Sequence, residues 1–169
     1  MTSTPTAREI RVVIPGPPFS QPRPKARAFA GHAQVYEPKE AKNWKGSAQV
    51  HMQEALRRVG LATPAFTEGP LEAFVFAVFP CPKSDYRKRD PIARRPYIGL
   101  KDWDNIGKAT CDAANGVLYL DDRLIARGTV ECWVGAQGEV PYVELVVRAF
   151  DAAAPRIQPG QATLFQAAG

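Results

Sequence analysis

The chain has 169 residues, of which 45% are hydrophobic, enough for one domain with a buried core. Its 22 Lys and Arg outnumber its 17 Asp and Glu, and the net charge of +5 suits a polyanionic partner without identifying one. Cys81, Cys111 and Cys132 have no metal-ligand spacing and read as reduced thiols, against a disulfide scaffold.

The opening MTSTPTAREI lacks the apolar run of a signal peptide. The longest apolar stretch, Leu71 to Phe79, contains Glu72 and is too short for a bilayer. A soluble, cytoplasmic protein is the expectation. In chain order, Ile10 to Ile14 reads as a strand stopped by Pro15-Gly16-Pro17-Pro18. A basic, proline-rich segment with Arg23, Lys25 and Arg27 follows. From Pro38 to Arg58, Trp44, Ala48, Met52, Ala55, Leu56 and Val59 recur at helical spacing, with proline at the start and Gly60 past the end.

Leu71 to Phe79 is apolar at every second position on both faces, the pattern of a central strand covered on both sides. Residues 80–101 form a loop in which Lys83, Arg87, Lys88, Arg89, Arg94, Arg95 and Lys101 face only Asp85 and Asp90. A second helix runs from about Trp103 to Asn115, closed by Gly116. Its small residues Ala109, Cys111, Ala113 and Ala114 permit close approach of another element. Two strands follow, Ile125 to Val134 and Val140 to Phe150, joined by a turn with Gly135 and Gly138. In the second, Val143, Leu145, Val147 and Ala149 share one face and Glu144 and Arg148 the other. The order β-α-β-α-β-β predicts an α/β (α+β) fold in which a small mixed sheet packs against two main helices. Residues 1–150 form the domain, and 151–169, rich in Ala, Pro and Gln, form a flexible tail.

The chemistry concentrates in Lys101-Asp102-Trp103-Asp104-Asn105-Ile106-Gly107-Lys108, followed by Asp112, Asn115-Gly116 and Asp121-Asp122. Asp102 and Asp104 fall at a helix start, and Asp121 and Asp122 just past a short extended run. An antiparallel return between them would let three or four carboxylates converge. Such an oxygen-only set suits a hard divalent cation that keeps open positions for a phosphate. Ordinary roles compete residue by residue. Asp102 or Asp104 could cap the helix, Asp104, Lys108 and Asp112 could form an i, i+4, i+8 ion-pair ladder, and Asp121-Asp122 could be a turn. Spacing alone leaves both readings open.

The pattern Asp102-x-Asp104-Asn105-x-x-Lys108, Asp112-Ala113, Asn115-Gly116, Asp121-Asp122 closely resembles the signature of the RusA family of Holliday junction resolvases. Ile14-Pro15-Gly16, Tyr36-x-Pro38 and Pro82-Lys83-Ser84 extend the resemblance to roughly residues 10–150. It implies a RusA-like single domain, a homodimer, and Mg²⁺-dependent hydrolysis of branched DNA by paired symmetric nicks in recombination and repair, with Mn²⁺ as a substitute ion. By position the essential acidic residues fall on Asp102, Asp104 and Asp122 and the essential lysine on Lys108. Asp121 is an adjacent metal candidate, and Asp112 matches a structural position expected to pair with a basic side chain. Leu124 departs from the pattern, since relatives usually carry glutamine there.

The same reading places DNA contacts on Arg23, Lys25 and Arg27 and on Lys83, Arg87, Lys88, Arg89 and Lys101. In the tail, Gln161-Ala162-Thr163-Leu164-Phe165 resembles the Gln-x-x-Leu-Phe peptides that dock bacterial replication and repair proteins on the sliding clamp. Gln161, Leu164 and Phe165 would make that contact. The alternative is that Leu164 and Phe165 fold back to patch the protein's own surface.

Overall fold

The computed structural model describes residues 9–21, 25–29, 32–36, 38–156 and 159, and of 25–29 and 32–36 only the backbone. Alternation in Glu9–Pro15 (β1) buries Ile10, Val12 and Ile14 and turns Glu9, Arg11 and Val13 away from them, as a half-covered strand should. Leu71–Phe79 (β4) is buried at every position, Glu72 included, as a run apolar on both faces implied. Ile125–Val134 (β6) and Tyr142–Ala149 (β7) complete the expected strands. They form a mixed five-stranded sheet of order β1-β7-β4-β6-β5, in which Arg95–Pro96 (β5) is the short outer strand. β4 and β6 run parallel, while β7 lies antiparallel to both β1 and β4.

Two segments depart from the expected order. The basic, proline-rich segment is not merely a connection: Lys25–Phe29 (β2) pairs antiparallel with His32–Tyr36 (β3) in a separate hairpin. The 80–101 loop contains a 3-10 turn at Lys83–Asp85, and β5 pairs with the end of β6 at Val134 and Trp133. Neither pairing leaves a local periodic trace, because the partner rather than the segment supplies the reason for extension.

Lys39–Arg58 (α1) buries Ala41, Ala48, Met52 and Leu56. Val59, expected on that apolar face, is instead the C-terminal cap residue and 62% exposed. Trp103–Ala114 (α2) is the crossover between the parallel strands β4 and β6. Both helices cover one sheet face, where Met52, Leu56, Ile106, Leu118, Leu145 and Val75 meet in the main core. The small residues of α2 serve this internal packing. Ala109, Ala113 and Ala114 are buried, Gln49 Nε2 on α1 donates to the Ala113 carbonyl at 3.2 Å, and Gly107 lies against Val130 of β6.

The opposite face carries Phe74, Phe76, Val78, Tyr142 and Val146 with Trp133. Glu144 and Arg148 lie on this face as their alternation implied. Glu144 is 1% exposed and accepts from Arg11 Nη1 at 2.7 Å. Glu72, on the neighbouring strand, accepts from Arg148 Nε at 2.9 Å and from Arg127 Nη1 at 3.4 Å. Carboxylates this deep need such partners, since an unpaired buried charge is costly. The chain is thus one small α+β domain. Most of the expected tail 151–169 lies outside the described residues.

Candidate active site

Two segments position the start of α2. Gln21 N donates to the Asn105 carbonyl at 3.1 Å, and Lys101 Nζ donates to the Pro18 carbonyl at 3.4 Å, so the stretch after β1 braces the helix entry. Phe19 in that stretch stacks on Trp44 of α1, ring centroids 5.7 Å apart. The entry is therefore held from the sheet side and from α1 together.

Asp102 occupies the N-cap position of α2, but its side chain makes no capping hydrogen bond. It accepts instead from Asn105 Nδ2 at 3.2 Å, which fixes the carboxylate sideways and leaves it exposed. Asp104 and Lys108 are exposed, with no hydrogen-bond or ion-pair partner among the described residues. The competing ladder Asp104-Lys108-Asp112 is not formed. Asp112 makes no ion pair among the described residues either. It lines a small cleft with Phe19, Gln21, Trp44 and Lys45. Asn105, quoted in the motif without a role, is the positioning partner that the spacing i, i+3 from Asp102 makes available.

The aspartate pair divides. Asp121 caps the 3-10 turn Asp122–Leu124: its Oδ1 accepts from Arg123 N at 3.0 Å and stands 3.5 Å from the Arg123 guanidinium. Asp122 is exposed and has no such partner among the described residues. The turn reading therefore accounts for Asp121 and not for Asp122.

The full convergence of carboxylates is not present. Among the described residues no three His, Cys, Asp or Glu side chains stand together as a metal-holding group. The helix itself separates them. Asp104 and Asp112 are eight residues apart, about 12 Å along the axis. Asp122 belongs with the second half of α2, where its charge and that of Asp112 bear on Cys111 and Tyr119. Burial, chiefly, pushes the Cys111 thiol up to about 11, and those two carboxylates push the same way. Burial also raises the Tyr119 phenol, whose hydroxyl donates to the Cys111 carbonyl at 2.7 Å and closes the turn after α2. The donor chemistry at Asp102, Asp104 and Asp122 (exposed carboxylate oxygens without a protein cation) fits a hard divalent ion.

The basic loop is pinned rather than loose. Arg87 N donates to Gln137 Oε1 at 2.9 Å, Gln137 Nε2 returns to the Arg87 carbonyl at 3.0 Å, and Gln137 N donates to Ile92 O at 2.9 Å. Arg94 is engaged by Glu139, and Arg95 by Asp85. Lys83, Arg87, Lys88 and Arg89 remain exposed, without a side-chain partner among the described residues. Lys101 is partly engaged by Pro18, and its ammonium also lies 5.5 Å from the Phe79 ring centroid. Lys25 and Arg27 fall on β2, whose side chains are not described. Arg23, Gln161, Leu164 and Phe165 lie outside the described residues.

The model of the endodeoxyribonuclease RusA family matches residues 15–148, most of the chain and the whole acidic segment. The chain belongs to the RusA family. Membership makes it an endodeoxyribonuclease, a hydrolase of DNA phosphodiesters. No individual curated protein matches it. Among the described residues no helix is long and apolar enough to cross a membrane.

Proposed function

We propose that this RusA-family chain resolves four-way DNA junctions by paired symmetric nicks with Mg²⁺ as cofactor, serving recombination and repair. The observation that supports the reading best is that Asp102, Asp104, Lys108 and Asp122 are all exposed and unspent in internal ion pairs. Structural carboxylates normally find partners, and Asp121 and Glu72 in this same chain do. Asp102, Asp104 and Asp122 would hold Mg²⁺, or Mn²⁺ in its place, and because they stand apart within one chain the set would have to be completed between two copies. Asp121 is a lesser candidate because its oxygen already caps a turn. When bound, such an ion polarises a phosphoryl oxygen and lowers the pKa of its water.

The chain's own residues do the rest. Asn105 orients Asp102 through its 3.2 Å hydrogen bond. Lys108, four residues and about 6 Å along the axis from Asp104, offers an unpaired ammonium to the charge that develops on the phosphate. Lys83, Arg87, Lys88 and Arg89, with Arg23, Lys25 and Arg27, hold phosphates and contribute affinity without reading sequence. Two symmetric cuts call for a C2 homodimer. Docking on a sliding clamp through Gln161, Leu164 and Phe165 would bring the enzyme to replication sites. A peptide of residues 156–169 tests that part by binding the clamp at about micromolar strength.

The deciding experiment compares four-way, flap and linear DNA with and without Mg²⁺. Wild type should cut the junction in a metal-dependent manner, and Asp102→Asn, Asp104→Asn and Asp122→Asn should each stop cleavage while retaining junction binding. Full activity in two of these variants refutes the site. Preferential cutting of flaps moves the substrate to other branched DNA, and binding without any cleavage makes the chain a non-catalytic module.

A further inference from the structure

The turn that leads into Asp102 is built to present apolar side chains outward. Tyr97 begins it, with its N–H donating to the Cys132 carbonyl at 2.9 Å and its ring stacked on Phe79 at 4.0 Å between centroids. Lys101 ends it, donating its N–H to the Tyr97 hydroxyl at 3.3 Å and its ammonium to Pro18 O. Gly99 sits so close to the Tyr97 ring that a Cβ there would meet Cζ and Oη at 2.2 Å. The base of the turn is therefore clamped, while Ile98 and Leu100 are 97% and 102% exposed. Trp103, at the first residue of α2, is 63% exposed. Lone exposed apolar residues are ordinary, but a pair held out by an anchored turn, with an indole close behind, is a constructed surface.

We propose that Ile98 and Leu100 form a wedge that enters the branch point of the DNA and packs against base faces there, with Trp103 stacking beside it. The inference rests on the junction-nuclease reading and adds to it the element that selects branched over continuous duplex. Charge complementarity favours DNA as the occupant. The Arg95–Asp85 ion pair ties the start of the basic run to β5, which leads directly into the turn. An apolar tip on the same 80–101 loop as the unpaired Lys83, Arg87, Lys88 and Arg89 meets a polyanion whose only apolar faces are its bases. Inserting side chains into a continuous stack costs unstacking energy, and at a branch point the stack is already broken. A wedge therefore converts the shape of the junction into preference, which phosphate contacts alone do not.

The test uses the full chain and a four-way junction carrying 2-aminopurine at the exchange point, bound in the Asp104→Asn background and cut in the Asp104 background. Wild-type binding should raise the fluorescence of the unstacked base. Ile98→Ser with Leu100→Ser should abolish the rise and slow single-turnover junction cleavage by at least about tenfold, with melting temperature unchanged. Affinity for unbranched duplex, set by phosphates, should change by less than about twofold. Val59→Ser, which removes a lone exposed apolar residue at the C-terminal cap of α1, should leave both readouts alone. If wild type cuts the junction and the double variant cuts it equally fast with the same fluorescence rise, the wedge is wrong and the nuclease reading stands. Conversion of a dimer to a monomer by the double substitution also overturns it, in favour of a self-association surface. Failure of wild type to cut any branched DNA removes the junction reading and the wedge with it.

Discussion

Gly107→Ala tests how tightly catalysis depends on the seating of α2. A Cβ at position 107 would lie 2.5 Å from Val130 Cγ2, against an optimum of about 3.5–4.0 Å for two carbons. The helix must lift, or Val130 must turn, by roughly 1 Å. Val130 is β-branched and resists rotation. The helix is held at both ends, by Gln21 N on the Asn105 carbonyl and by Gln49 on the Ala113 carbonyl. Alanine gains about 1 kcal/mol of helix propensity over glycine. Overpacking a filled interior costs about 1–3 kcal/mol. The balance is a loss of about 0–2 kcal/mol, which lowers the melting temperature by a few degrees. Activity should fall further than stability. Lys108 is the next residue and Asp104 lies three before, so a shift of about 1 Å in the helix can reduce cleavage by about a hundredfold. Val130→Ala makes room for the new methyl. In urea unfolding and single-turnover cleavage of the four proteins, the double variant should be more stable than the two single losses sum to, with a coupling of at least about 1 kcal/mol, and should recover activity. A Gly107→Ala protein that is stabilised by the full propensity gain, cuts normally and shows no coupling to Val130 would refute the close approach.

Lys108→Ala should slow single-turnover cleavage by about a hundredfold or more while leaving the melting temperature nearly unchanged. A lysine that served a helix ladder would do the opposite, and no such ladder exists among the described residues. Neutralising Arg87, Lys88 and Arg89 together should weaken DNA binding and flatten the slope of log affinity against log salt by up to about 2.7, since about 0.9 is lost per phosphate contact. An unchanged slope takes this loop off the DNA.

By itself the sequence determined those elements whose reason for forming is local. The helix periods read over 38–58 and 103–115, the closing Gly60 and Gly116, and the largely apolar run of β4 recur within a residue of where the spacing put them. The identity of the acidic and lysine set was also legible, because a motif is carried by residue type and order. Tertiary structure decided the rest. The β2–β3 hairpin and two-residue β5 exist through their partners, and no periodicity inside 25–36 or 80–101 announces them. Asp121 and Asp122 share one side chain, and local chemistry alone does not say which is spent internally; one caps a turn and the other has no partner among the described residues. Glu72 and Glu144 interrupt apolar runs and would read as surface residues. They are buried because arginines from neighbouring strands, Arg148 and Arg127 for one and Arg11 for the other, arrive across the sheet. Ile98 and Leu100 lie in the expected 80–101 loop, and they stand in solvent because Tyr97 and Lys101 clamp the loop between them. The distance from Asp104 to the second half of α2 is likewise a property of the helix's length, which spacing along the chain can state but not overcome. Residue type tells what a side chain is able to do, and burial, pairing and reach depend on which distant segment is packed against it.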